Sequence, residues 1–158
     1  MTRRSTRCKP ESGGNFHKED QRALAIFAAD CAEHVLPIFA ETYPQDERPQ
    51  KAVAAARAWA RGEILCGAGR SAAIAAHAAA REAGEIAACA AARAAGHAAA
   101  TAHMIGHARH AAAYAVKASI AAGIPAETER AWQLQRLPEH LRAAVLPADI
   151  AAISQDLR

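Results

Sequence analysis

Residues 71–123 read SAAIAAHAAAREAGEIAACAAARAAGHAAATAHMIGHARHAAAYAVKASIAAG, a stretch that consists mostly of alanine. Alanine has the highest helix propensity of all residues, and its small side chain lets neighbouring helices pack at short interaxial distances. Few polar side chains interrupt the stretch, and most of them are histidine or arginine. The composition therefore predicts closely packed helices with a small set of long polar groups between them.

The pattern along the whole chain predicts an all-α fold, namely a single-domain antiparallel helical bundle of about five main helices plus shorter C-terminal helices. The main helices are expected at residues 18–43, 46–63, 70–83, 85–103 and 107–122, and the shorter ones at 126–137, at 139–145 and after residue 147. Pro37 is expected to kink or split the first helix. Gly67 and Gly69 are expected to form a turn, and Gly106 to break the chain before the fifth helix.

A length of 158 residues fits one domain, which we place at residues 16–158. Residues 1–15 combine basic side chains with Pro, Ser and Gly and lack apolar periodicity, so we expect a disordered basic arm. The formal net charge is only +3, and part of it lies in this arm, so nucleic-acid binding is not indicated. The longest uncharged run, residues 94–108, contains three histidines and is too short for a membrane-spanning helix.

The cysteines indicate a reducing compartment. Cys8, Cys31, Cys66 and Cys89 are far apart in the sequence and form no CxxC pair. The first residues also lack the apolar segment and cleavage site of a secretory signal. We therefore expect a cytoplasmic protein.

Polar residues recur at steps of three and four on the apolar faces of the predicted helices. Arg93 and His97 share one row with Ile86 on the fourth helix, and His77 follows Ile74 on the third. This spacing predicts that long polar side chains meet in the interior along one polar seam. The candidate members of the polar seam are Asp30, Glu33, His34, Arg57, His77, Arg81, Arg93, His97 and Thr101.

Three interpretations of the polar seam are open. The first is an internal network in which the arginines pair with carboxylates and the histidines bond to carbonyl groups. The second is a pocket that binds a small anionic ligand through the arginines. The third is a catalytic site with His77 or His97 as general base, although no nucleophile lies at an informative spacing.

A further group of histidines suggests metal binding as an alternative. His103 and His107 are four residues apart and His110 follows, and two histidines on one helical face can bind one metal ion. A divalent metal at these three residues competes with an interpretation as surface histidines at a helix end. The catalytic HExxH pattern is absent, and no other cofactor is predicted.

Several strings carry a resemblance in combination. They are AADCAEHVLPIF (28–39), DERPQKAVAAARAWARGE (46–63), AAHAAAREA (75–83), AARAAGHAAATAH (91–103), HAAAYAVKA (110–118) and ERAWQLQRLPEHLR (129–142). Together they resemble a bacterial family of immunity proteins from polymorphic toxin systems, over roughly residues 16–145. The resemblance implies a protein that binds and neutralises a cognate protein toxin. It implies no catalytic or metal-binding residues.

The alternative function is a helical bundle that binds a small ligand or a metal, with or without enzymatic activity, through the polar seam. Alanine-rich faces can also pack against a second copy of the chain, so a homo-oligomer is a further expectation.

Overall fold

The computed structural model describes residues 17–146, which form helices and no strands within that range. The prediction of an all-α fold is therefore confirmed. The main helices are α1 (Lys18–Thr42), α2 (Arg48–Ala60), α3 (Cys66–Glu82), α4 (Ile86–Ala100) and α5 (His107–Ala121), followed by α6 (Ala126–Arg136), a 3-10 turn (Glu139–Leu141) and α7 (Arg142–Val145). The predicted basic arm and the predicted helical piece after residue 147 lie outside the described residues.

Helix α4 lies at the centre of the bundle. It contacts α1, α2, α3 and α5, and ten of its residues are buried, all of them alanine or glycine. Since alanine contributes little volume, the bulky part of the core comes mainly from α1, where Leu24, Phe27 and Phe39 are almost completely buried. In the core, the neighbouring helices therefore pack closely around α4, and the apolar face of α1 covers one side of it.

Proline does not divide the first helix. Of the kink or split expected at Pro37, the split is absent, because α1 runs as a single helix from Lys18 to Thr42. Pro37 lies on the exposed side of α1, where water can hydrate the Glu33 carbonyl group that proline leaves without a helical donor.

The turn predicted at Gly67 and Gly69 was wrong, because α3 begins at Cys66 and contains both glycines. Gly69 is buried, and a methyl group on it would lie 2.9 Å from Cβ of Ala102 and 3.2 Å from the carbonyl oxygen of Ala99. These distances are shorter than van der Waals contact. Glycine at position 69 therefore allows close approach of α3 to the end of α4.

The expected break before the fifth helix is present at Gly106, the N-cap of α5. Helix α4 ends at Ala100, a few residues earlier than expected, and residues 101–106 reverse the chain. As a result α5 packs extensively against α4.

One helix among the described residues, α1, is long and apolar enough to cross a membrane by length and composition alone. Half of its apolar window is buried inside the bundle. A helix that supplies the bulky side chains of a core has this composition for reasons of packing.

Candidate functional site

Four histidines meet where α3 and α5 flank α4, and we call them the histidine cluster: His77, His97, His107 and His110. His97 lies at its centre, with ring centroids 4.9 Å from His77, 5.1 Å from His107 and 5.2 Å from His110. The chain reversal at residues 101–106 places α5 on α4. His107 at the start of α5 therefore contacts His97, which lies ten residues earlier in α4. The sequence placed His97 and His107 in two different groups, whereas the structure joins those groups.

Arg93 lies one helical turn before His97 and fixes the state of His77. The Arg93 guanidinium donates a hydrogen bond to Nδ1 of His77 over 3.1 Å. Arginine has only donors, so Nδ1 of His77 must accept, and His77 is a neutral imidazole with its proton on Nε2. The His77 ring covers Gly96, where an added methyl group would lie 2.7–2.8 Å from three ring atoms. Glycine at position 96 therefore provides the space for this ring.

His97 and His107 share a proton. Their Nδ1 atoms are 2.9 Å apart, a hydrogen-bond distance at which one ring must donate and the other must accept. The pair can take one further proton, on Nε2 of the donating ring, and keep its hydrogen bond. Protonation of both rings would bring two N–H groups face to face. Tyr114 stacks on the His97 ring with an interplanar angle of 12°.

The environment keeps three of these imidazoles uncharged. Burial and, as the next largest cause, the charge of Arg93 lower the pKa of His77 to about 4. Burial, followed by the effects of His77 and His107, lowers the pKa of His97 to about 3. The pKa of His107 is lowered by its burial and then by His103 and His110. At pH 7, His77, His97 and His107 are therefore neutral.

A second group of predicted residues lies between α1 and α2. The Arg57 guanidinium donates to Asp30 over 2.9 Å and to Glu33 over 2.6 Å. Within residues 17–146, no hydrogen bond, ion pair or ring contact joins this triad to the histidine cluster. The prediction of one continuous polar seam was therefore wrong, because α2 presents Arg57 to α1 and not to the face shared by α3 and α5.

A third group of polar residues connects α6 to α1 and α5. His34 of α1 bonds to Glu129 over 2.8 Å and stacks on Trp132 with ring centroids 3.8 Å apart. Glu129 is 1% exposed and also accepts a hydrogen bond from Gln133, which donates to the Ala112 carbonyl group of α5. Sequence analysis missed Glu129 and Gln133. Their spacing of four residues around Trp132 was the available signal for an inward face.

The remaining predicted residues have individual roles. Thr101 is buried, and its hydroxyl donates to the His97 carbonyl group at the end of α4, so it closes the helix. Arg81 is exposed and near enough to His77 for its charge to lower the pKa of that ring. His103 lies beside His107, with ring centroids 5.2 Å apart. Within the described part of the chain, no three His, Cys, Asp or Glu side chains converge in a way that could hold a metal ion.

The comparison with family models identifies the relationship. A model described as "Imm-5 like putative immunity protein" matches residues 14–140. The chain belongs to this family. The resemblance seen in the sequence is thereby confirmed, and the match includes the histidine cluster and the complete helices α1 to α6. Comparisons with curated proteins and with solved structures gave no match.

In this Imm-5 like chain the charges are divided unevenly among the helices. From residue 66 to residue 121 the only carboxylates are Glu82 and Glu85. Glu82 accepts hydrogen bonds from Arg48, and Glu85 accepts one from Tyr43, so both are engaged with the α1–α2 connection. The same range contains five arginines and lysines, none of which forms an ion pair with a carboxylate of residues 17–146: Arg70, Arg81, Arg93, Arg109 and Lys117. Helices α3 to α5 therefore carry an excess of positive charge.

Proposed function

We propose that this protein binds and neutralises a cognate protein toxin, and that the toxin docks on the face that α3 and α5 form around the histidine cluster. We call this surface the cationic face. The observation that carries the proposal is the excess of positive charge on α3, α4 and α5, in a chain that belongs to an immunity-protein family. An acidic surface of the toxin would supply the carboxylates that these three helices lack.

The neighbouring helix α2 does not offer the same unpaired charge. On α2 and the connection that follows it, Lys51 pairs with Glu47, Arg57 with Asp30 and Glu33, and Arg61 with Glu63. Each of these cations has its countercharge within the chain. Unbalanced charge steers an oppositely charged partner and excludes partners of the wrong charge, whereas balanced pairs do neither.

Exposed apolar side chains accompany the charges on the same helices. Ile74 is 60% exposed and lies one turn before His77 on α3. Ile120 is 53% exposed and lies three residues after Lys117 on α5. Apolar side chains beside charged groups are typical of interfaces, in which buried anchors provide affinity and surrounding charges provide specificity.

The experiment uses this protein and candidate toxin domains encoded by neighbouring genes. We expect a stable complex by isothermal titration calorimetry and rescue of growth when both proteins are produced in the same cell. Raising the salt concentration should slow association, because exposed charges are screened. Arg81→Glu on the cationic face should weaken binding about tenfold or more, which corresponds to at least 1.4 kcal/mol.

The matched control is Arg61→Glu, which reverses the charge of an exposed arginine whose partner is Glu63. It should change the affinity by no more than about twofold, as is usual for a residue outside an interface. The absence of a complex and of protection would contradict toxin neutralisation. A larger effect of Arg61→Glu than of Arg81→Glu would contradict the choice of face.

A further inference from the structure

We propose that Arg93 and the histidine cluster form an oxyanion-binding site in the free protein, and that binding of the anion draws one proton onto the His97–His107 pair. The ligand class is a sulfate, phosphate or carboxylate group. The site is a property of the protein alone and does not require the toxin.

The charge of Arg93 lacks a compensating carboxylate among the described residues. Its side chain is half-buried, and its one hydrogen bond to a described side chain goes to the neutral ring of His77. A guanidinium carries five N–H donors in a planar fork that matches two oxygens of an oxyanion. Partly buried charges are usually paired, and α3, α4 and α5 offer no carboxylate here because Glu82 and Glu85 are bonded elsewhere.

Within residues 17–146, the groups around Arg93 include cations and no carboxylate. The titratable and charged groups that surround Arg93 and the His97–His107 pair are His77 and Arg81 from α3, His110, Tyr114 and Lys117 from α5, and His103 from the preceding loop. All of these groups are cationic or are neutral in their usual state, so the local potential is positive. The charge of Arg93, which together with burial opposes protonation of His77, also repels a metal cation. The site therefore favours an anion over a metal.

The hydrogen bond between His97 and His107 lets this pair take up a proton. Because their Nδ1 atoms are 2.9 Å apart, the donating ring can accept a proton from solvent on Nε2 while the hydrogen bond between the rings persists. The added charge makes that hydrogen bond charge-assisted. In the free protein burial and, after it, the positive surroundings oppose this step, and a bound anion offsets the effect of the surroundings. Anion binding should therefore take up a proton, and the affinity should rise as the pH falls.

The experiment is a titration of isotopically labelled protein with sodium sulfate, followed by the NMR signals of the Arg93 side chain and of the histidine rings. Sulfate is the probe because its charge is constant between pH 5.5 and 8, and sodium chloride keeps the ionic strength fixed. We expect saturable shifts of the Arg93 signal. The affinity should increase as the pH is lowered, by at most about tenfold per pH unit, which is the limit for uptake of one proton.

Variants separate the two parts of the proposal. Arg93→Gln should weaken sulfate binding at least tenfold, whereas Arg61→Gln, which changes an arginine directly after α2 and outside the site, should leave it unchanged. His107→Gln keeps a hydrogen-bonding group beside His97 but removes the second ring, so binding should persist with a reduced pH dependence. If Arg93→Gln does not fold, Arg93→Lys keeps the charge without the planar fork and should weaken binding several-fold.

A titration with acetate at pH 7 distinguishes the chemical sources. Competition of acetate with sulfate shows that the site also accepts carboxylates, including those of a protein partner, whereas sulfate binding without competition restricts the site to tetrahedral oxyanions. Both outcomes support an oxyanion site. Absence of saturable binding by both probes, or unchanged binding in Arg93→Gln, would overturn the proposal. Constant affinity between pH 5.5 and 8 would overturn the coupling to a proton. None of these results depends on toxin binding, which is tested separately.

Discussion

Lowering the pH from 7.5 to 5.5 should destabilise the folded protein through its histidine cluster. The folded-state pKa values of His77 and His97 are about 4 and about 3, below the value of about 6.5 expected in the unfolded chain. Between about pH 6.5 and pH 4 the unfolded chain therefore binds more protons than the folded protein does. The free energy of unfolding must then fall as the pH falls through this window, and it is fully restored above it.

The magnitude follows from the unfolded-state pKa. At pH 5.5 an unfolded histidine is about 90% protonated, which favours the unfolded chain by about 1.4 kcal/mol relative to pH 7.5 for each ring that stays neutral in the folded protein. Both rings are partly exposed, and solvent screening reduces the effect. We therefore expect a total loss of about 2 kcal/mol, a substantial part of the 5–15 kcal/mol that is typical of domains.

The assay is urea unfolding followed by circular dichroism at pH 7.5, 6.5 and 5.5, in chloride buffers that contain no sulfate or phosphate. Carboxylates whose pKa is lowered by arginine, such as Asp46 and Glu82, contribute stability that is lost only below about pH 4.5, outside the tested window. His77→Gln removes one of the two rings and should reduce the pH dependence by about half. Equal free energies of unfolding at pH 7.5 and 5.5, or a His97 ring that titrates near pH 6.5 by NMR, would refute the reasoning.

Three further substitutions test the packing and the two other polar groups, each by urea unfolding. Gly69→Ala should lower the free energy of unfolding by about 1 kcal/mol, since overpacking outweighs the gain in helix propensity. In the control Gly106→Ala the added methyl group meets no atom within 4 Å, so the free energy of unfolding should change by no more than about 0.5 kcal/mol. Equal effects of the two substitutions would contradict the close contact at Gly69. Glu129→Ala should lower the free energy of unfolding by about 2–3 kcal/mol and change the tryptophan fluorescence, because buried hydrogen bonds from His34 and Gln133 lose their acceptor. A decrease of less than about 1 kcal/mol would argue against this network. Arg57→Ala should cost no more than about 1 kcal/mol, as its ion pairs are partly exposed, and a larger loss would indicate a buried role.

Sequence reasoning located the helices well because their signals are local. Alanine runs, apolar periodicity and the break at Gly106 depend on neighbouring residues in the chain, and the structure follows them closely. Gly69 was wrongly predicted to lie in a turn, because its role depends on residues that are distant in the sequence. Glycine in a turn and glycine at a helix contact look alike in a sequence, and only the position of Ala102 reveals which of the two applies.

The candidate site depends on which helices become neighbours, and periodicity does not contain that information. The spacing correctly gave Arg93 and His97 a common row, but it could not show that α2 directs Arg57 towards Asp30 of α1. It also could not show that the chain reversal before α5 brings His107 within hydrogen-bond distance of His97. The sequence therefore allowed the histidines and Arg93 to be recognised as candidates, but not the residues that each of them contacts.

The all-alanine and glycine interior of α4 has a consequence for how this protein can change by mutation. At a buried alanine, every replacement except glycine adds atoms to a contact that has no spare volume, so a substitution there almost always widens the distance between helices. Proteins with cores of leucine and phenylalanine can lose volume at one position and regain it at another, whereas α4 has no volume to lose. Variation among descendants of this chain should therefore concentrate on its outward faces, where the shape and charge presented to other molecules can change without moving the helices beneath.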